Sequence, residues 1–158
     1  MDVLLGRFRN GLPQVTSLEG GEPSVNGLVG RFVSAVERGD TAALAGLSVS
    51  RREYAWLYFP SSVYAAPPYE LPPNIAWMLS AAASEKGLAR VVRRLRGSTL
   101  HLRGYRCAKE AHEGLNRFWS QCVIDYEDQH EGRTSRRLFG TIMERDGQYK
   151  FLSYANDF

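Results

Sequence analysis

The spacing of hydrophobic residues changes from a helical to an alternating period at about residue 99. From Ser24 onward, apolar residues recur every three or four positions, which is the period of a helix that buries one face. From Thr99 to Phe158, apolar and polar residues alternate, which is typical of half-buried β-strands. The pattern predicts an α+β fold in which N-terminal helices pack on a curved antiparallel sheet of four or more strands.

Capping residues set the limits of the early helices. Ser24 can cap a first helix that Gly39 ends, because serine favours helix N-termini and glycine favours the position after a C-terminus. Asp40 caps a short second helix that runs to about Leu47. The segment Ser50–Glu53 is a capping box, which predicts a third helix to about residue 58.

A proline-rich segment separates these helices from a longer one. Residues 60 to 73 hold five of the seven prolines, so this stretch is predicted to be an extended, stiff crossing rather than a strand. Pro72 and Pro73 suit the first turn of the long helix, and Gly97 ends it. Its apolar stripe shifts near Gly87, where we expect a bend or a break. The residues of that stripe are Ile75, Met78, Leu79 and Ala82, then Leu88, Val91, Val92 and Leu95.

Four strands are predicted in the C-terminal third, at about residues 100–107, 118–127, 138–143 and 149–155. Asp146-Gly147 predicts a tight hairpin, because both residues tolerate positive φ. That turn would place Met143 opposite Lys150. One face of the sheet can cover the helices, and the other requires a sheet partner, the N-terminal segment or a second subunit.

The chain length suits one domain. Residues 1 to 23 have no sustained period and carry four glycines and two prolines, so they are predicted to form a loosely ordered N-terminal arm that packs in part through its apolar side chains. Residues 24 to 158 then form a single domain. The apolar side chains of the arm are Val3, Leu4, Leu5 and Phe8.

Composition excludes several function classes. No apolar run approaches the roughly 20 residues that cross a bilayer. The 17 arginines give a net charge of +3, but their clusters are short and scattered over different elements, so nucleic acid is not a predicted partner. The chain has no phosphate loop, nucleophile elbow or metal-ligand spacing, and we predict neither cofactor nor metal site.

Cys107 and Cys122 are the sharpest local signal. A hairpin centred between Gly114 and Leu115 pairs them across adjacent strands, within the distance that a disulfide spans. The alternative is two buried free thiols that pack as small apolar groups. A disulfide would favour an extracytoplasmic location with a trimmed signal segment, and free thiols would favour the cytoplasm.

Asp125 is the candidate for proton transfer. It lies between two apolar residues of a strand, and a carboxyl group that faced a cavity there would have a raised pKa. The alternative is that Asp125 points outward beside Glu127 and pairs with an arginine. His101 is expected on the surface, next to Arg103.

The order of elements resembles the nuclear transport factor 2-like (SnoaL-like) α+β cone superfamily. The resemblance covers residues 24 to 158 and is clearest in Phe32–Leu44, which contains a Gly-Asp-x-x-Ala-Leu step between two helices, and in the closing segment Leu138–Phe151. It implies a cystatin-like cone with a pocket between helices and sheet, and often a dimer through the sheet. The proline-rich segment departs from the short hairpin that the family usually has there.

These observations favour a non-catalytic domain that binds a small apolar or amphipathic ligand, or a protein partner, through the pocket or the sheet face. Trp56, Trp77, Tyr126 and Tyr154 are the candidate ligand-binding residues, because aromatic side chains commonly line such pockets. One alternative is an isomerase, dehydratase or cyclase that uses Asp125, with a Tyr or His as hydrogen-bond donor. Another is a structural homodimer that pairs through the sheet.

Overall fold

The computed structural model describes all 158 residues and confirms the α+β class. Helices come first and a five-stranded antiparallel sheet follows. The helices are α1 (Asp2–Arg9), α2 (Val25–Arg38), α3 (Thr41–Gly46), α4 (Arg51–Glu53, continued by the π-helical turn Tyr54–Tyr58) and α5 (Pro73–Leu95). The strands are β1 (Leu100–Glu113), β2 (Asn116–Asp128), β3 (Gly132–Arg136), β4 (Ile142–Arg145) and β5 (Gln148–Phe151).

The predicted caps are confirmed. The Ser24 side chain accepts a hydrogen bond from the Gly27 amide at 3.0 Å, and Gly39 ends α2 in the left-handed conformation with φ of 63°. Ser50 and Glu53 form the complete capping box. These local interactions fix the entry angles of α2 and α4, and so the position of the loop between α3 and α4.

The sheet is built around β2. Strand β1 pairs with one side of β2, β3 and β4 pair with opposite ends of the other side, and β5 pairs with β4. The predicted pairing of Met143 with Lys150 is confirmed. Strand β3 was not predicted, because its sequence is polar throughout. The predicted third strand starts only at Ile142, since Leu138 and Phe139 before it turn into the core.

The N-terminal segment differs from the expected loose arm. It contains α1, and it buries Leu5, Phe8, Val15 and Leu18 against α4 and α5. A buried ion pair holds its end. The Lys150 ammonium lies 2.8 Å from the Glu53 carboxylate and also donates to the Glu19 carbonyl, which joins α4, β5 and the N-terminal segment.

Helix α5 also differs from the expectation, because it runs without a break past Gly87. The sequence predicts that Met78 and Leu79 face the core, but they are 55% and 58% exposed. The first half of α5 instead buries Pro73 and Ala76. The apolar stripe of this half is therefore on the surface.

Aromatic side chains fill the space between α2 and the sheet. Phe32 of α2 packs against Phe139, Phe151 and Tyr154, with ring centroids 5.3 to 5.8 Å apart. All four side chains are at most 2% exposed, so this layer is a buried core. None of the helices combines the length and the hydrophobicity that crossing a membrane requires.

Candidate functional site

The candidate site is a groove between the α3–α4 loop and α5, which we call the α5 groove. Its volume is about 280 Å³, and the C-terminal segment that follows β5 forms its base. The size suits a small organic ligand rather than a macromolecule. The lining residues are Ala45, Ser48, Val49, Ser50, Arg51, Trp77, Ser80, Ala81, Ser84, Glu85, Leu88, Leu152 and Tyr154.

Local helix geometry creates one wall of the groove. Trp77, Ala81, Ser84 and Leu88 recur at three- or four-residue steps, so they share one face of α5. The same face continues into the buried residues Val91 and Leu95 at the end of the helix. The small side chains of Ala81 and Ser84 leave the space that the larger residues around them enclose.

Serine hydroxyls supply the polar groups of the groove. The Ser84 hydroxyl accepts a hydrogen bond from the Tyr154 amide at 2.9 Å, and the Ser50 hydroxyl accepts from the Glu53 amide at 3.1 Å. Each of these hydroxyls keeps its own proton free to donate. Ser80 has no hydrogen bond to another side chain or to the backbone. The groove thus combines an apolar surface with several hydrogen-bonding positions.

Two of the four predicted ligand-binding residues line the α5 groove. Trp77 is half-buried at one end, where its ring packs edge-on against Tyr54 with centroids 5.0 Å apart. Tyr154 lies at the base, and its hydroxyl donates to the Leu44 carbonyl at 2.6 Å. Burial raises the pKa of the Tyr154 hydroxyl, so it stays neutral and its proton remains on the backbone bond.

The other two lie elsewhere. The Trp56 indole donates to the Leu12 carbonyl at 2.9 Å, and the Arg9 guanidinium stacks 4.0 Å above its ring, so Trp56 anchors the N-terminal segment. Tyr126 is 1% exposed in the core beneath the sheet. Its hydroxyl has no hydrogen-bond partner, and burial raises its pKa. The fold therefore does not bring the four aromatic residues together.

Asp125 projects from the sheet face opposite the core. Its carboxylate accepts hydrogen bonds from the Ser135 hydroxyl and, at 2.8 Å, from the Arg106 guanidinium. The hydrogen bond from Ser135 and the charge of Arg106 lower the pKa of Asp125. This is the outward, arginine-paired arrangement rather than the cavity-facing one. Arg103 pairs with Glu127 in the same way on this face, and His101 is exposed nearby.

Cys107 and Cys122 face each other in the register between β1 and β2. Their sulfur atoms are 2.04 Å apart, which is disulfide distance. The hairpin turn lies at Gly114 and Leu115, as predicted. The pair lies in the sheet, outside the α5 groove, so it acts on stability rather than on the site.

Sequence reasoning missed the serines and alanine that shape the groove. The signal was present in the spacing of Trp77, Ala81, Ser84 and Leu88, which extends the stripe of Val91 and Leu95 toward the start of α5. What the sequence did not show is the element that this face meets. That element is the segment from Ala45 to Arg51, which comprises the end of α3, the α3–α4 loop and the first residue of α4. It is held at the groove by a backbone bridge between Ser48 and Phe151.

No group of three or more His, Cys, Asp or Glu side chains is placed so that it could hold a metal ion. The charged groups at the groove are Arg51 and Glu85, from opposite walls. Glu85 is exposed and makes no hydrogen bond or ion pair that would orient it. The α5 groove can therefore bind a ligand through hydrogen bonds from hydroxyl groups and through contact with an apolar surface.

Comparison with protein-family models, with curated proteins and with solved structures finds no match for this chain. The geometry of the site therefore has to support the functional conclusion by itself.

Proposed function

We propose that this chain is a non-catalytic binding domain that holds a small amphipathic ligand in the α5 groove. The observation that supports this most is the composition of the groove walls. Trp77 and Leu88 offer apolar contact area, and Ser80 and Ser84 place hydroxyls on the same helix face. A ligand with an apolar body and one or two polar groups satisfies both surfaces.

The absence of an oriented proton-transfer pair at the groove favours binding over catalysis. A general acid or base needs a carboxyl or imidazole group within hydrogen-bond reach of the reacting atom. Asp125 is on the opposite face of the sheet, where an arginine and a serine hold it charged. The alternative of an isomerase, dehydratase or cyclase is therefore not supported by any residue positioned for proton transfer at the groove.

We also infer a relation to the nuclear transport factor 2-like cone superfamily as a working hypothesis for the fold. The order of helices before a final antiparallel sheet supports it, as does the Gly39-Asp40 step from α2 to α3. The packed layer beneath α2 differs from the open cone that the resemblance implies. The ligand site we propose accordingly lies beside this layer rather than inside it.

A filling variant tests the proposed site. Ala81→Phe places a ring in the α5 groove, whereas Ala83→Phe makes the same change on an exposed position of the same helix that does not line the groove. The probe is 1-anilinonaphthalene-8-sulfonate, an amphipathic fluorophore. We expect Ala81→Phe to weaken probe binding about tenfold or more, which corresponds to about 1.4 kcal/mol.

Ala83→Phe should bind the probe as the unmodified chain does. Circular dichroism of each variant controls for folding. Equal affinity of all three proteins would contradict the proposed site, because a filled groove cannot hold the probe.

A further inference from the structure

A second groove of similar size lies between α1 and the first residues of α4 and α5. It has a volume of about 300 Å³ and is lined by Leu4, Arg7, Phe8, Arg51 and Asn74. No acidic residue lines it, so the charges of its two arginines add. We call it the arginine groove.

The two guanidinium groups have no counter-ion in the fold. Neither Arg7 nor Arg51 makes a side-chain hydrogen bond or an ion pair, whereas Arg103 and Arg106 on the sheet are paired with carboxylates. Arg51 is instead held over the Phe8 ring, with its guanidinium carbon 4.9 Å from the ring centroid. An aromatic ring positions the charge without neutralising it, so the donors stay available to an anion.

Exposed apolar side chains surround the arginine groove and extend from it. Ten large apolar side chains are exposed. All except Leu102 belong to the segment of Met1 and α1, to residues 63 to 69, to the first half of α5 or to the β1–β2 turn. These parts adjoin one another. Tyr64 and Leu79 line a common cleft. The Val63 amide donates a hydrogen bond to the Glu113 carboxylate at 2.9 Å, so the β1–β2 turn that carries Leu115 lies beside residues 63 to 69.

We propose that this end of the molecule docks on an anionic phospholipid surface, with the lipid phosphate in the arginine groove. Arg7 and Arg51 supply the charge complementarity, and Asn74 supplies an amide donor. The most exposed apolar side chains are on three different elements. They are Val3 on α1 at 67%, Tyr69 in the proline-rich segment at 61%, and Leu115 at the hairpin tip at 69%.

This dispersed arrangement fits a bilayer better than a protein partner. Separate exposed apolar side chains can each enter the boundary between headgroups and acyl chains, whereas a protein partner needs a continuous complementary surface. Tyrosines suit the same boundary, because their rings are apolar and their hydroxyls are polar. The inference concerns a different surface from the ligand site, although Arg51 borders both grooves.

Vesicle co-sedimentation tests the proposal. The vesicles are phosphatidylcholine alone and phosphatidylcholine mixed with phosphatidylglycerol. The test variant is Arg7→Gln/Arg51→Gln, and the control is Arg93→Gln/Arg133→Gln, which removes the same charge from exposed arginines that also lack ion pairs. We expect the intact chain to bind only the mixed vesicles, and the test variant to bind them about tenfold or more weakly.

The control variant should bind nearly as the intact chain does, and added salt should weaken the binding. Equal loss in both variants would overturn the proposal, because it would show a general effect of net charge. Absence of vesicle binding would also overturn it. Binding of inorganic phosphate without vesicle binding would show a site for free phosphate only, and capture of another protein at this end with no lipid binding would show a protein interface.

The apolar contribution has a test of its own. Leu79→Ser/Leu115→Ser should lower the affinity for mixed vesicles several-fold, while Leu102→Ser should not. All of these side chains are exposed, so the variants should fold, and circular dichroism checks that. Vesicle binding that all three substitutions leave unchanged would contradict the docking surface.

Discussion

Gly87 of α5 lies directly against the backbone of Tyr154. A Cβ atom at position 87 would be only 2.3 Å from the Tyr154 carbonyl oxygen. The Asn156 side chain also donates to the Gly87 carbonyl at 3.0 Å, so helix and C-terminal segment touch along their backbones. This contact holds Tyr154 at the base of the α5 groove.

Gly87→Ala should therefore destabilise the protein, although alanine is the better helix former. We expect the overlap to cost about 1 to 3 kcal/mol in the free energy of unfolding. The matched control is Gly30→Ala in α2, where a Cβ would meet nothing within 4 Å. That variant should be more stable by up to about 1 kcal/mol. Denaturant unfolding measures both, and the same sign for the two variants would contradict the contact.

The Cys107–Cys122 pair should contribute to stability. A cross-link that closes a loop of about 15 residues stabilises a protein by about 3 kcal/mol, chiefly by restricting the unfolded chain. The free energy of unfolding should fall by about this amount when reductant is added. The variant Cys107→Ala/Cys122→Ala should show no effect of reductant. A native protein with two titratable thiols would contradict the disulfide.

The ion pair of Glu53 and Lys150 predicts strong coupling between α4 and β5. The two side chains are 2% and 4% exposed. Lys150→Met leaves a buried carboxylate without its partner and should cost about 3 to 5 kcal/mol. Glu53→Gln/Lys150→Met should recover part of that loss, because no unpaired charge remains. Additive losses in this double-mutant cycle would show that the two groups do not interact.

The pH dependence of stability should be that of an Asp125 side chain on the surface and paired with an arginine. Because Ser135 and Arg106 lower its pKa, its contribution to stability is present above the unfolded pKa of about 3.9 and is lost as the pH falls through the lower folded value. Carboxyl-carbon NMR titration should give a pKa below the usual range, and Arg106→Ala should raise it. A value raised toward neutral pH would instead revive the proton-transfer alternative.

Much of the fold could be predicted from the sequence because its signals are local. Ser24, Gly39 and the capping box at Ser50 act within one helical turn, and the pairing of Cys107 with Cys122 follows from one hairpin. Such features depend on neighbouring residues, so spacing is enough to find them.

The features that were missed depend on contacts between distant segments. A glycine within a helix often indicates a bend. The role of Gly87 is different, because the absence of a side chain lets the backbone of Tyr154 pack against α5. Met78 and Leu79 follow a helical stripe, yet the elements that pack on α5 lie on another of its faces. The site was predicted only in part for the same reason. Trp77 and Tyr154 both line the groove, whereas Trp56 and Tyr126 pack in other parts of the molecule.

The location of ligand contacts tests the central claim most directly. Amide chemical shifts of the ¹⁵N-labelled chain, followed during titration with 1-anilinonaphthalene-8-sulfonate, report which residues the probe reaches. We predict saturable shifts at Ser48 to Ser50 and at Ser80 to Ser84, which Ala81→Phe abolishes. Shifts confined to the sheet face around Asp125, or to the exposed tips at Tyr69 and Leu115, would contradict a ligand site in the α5 groove.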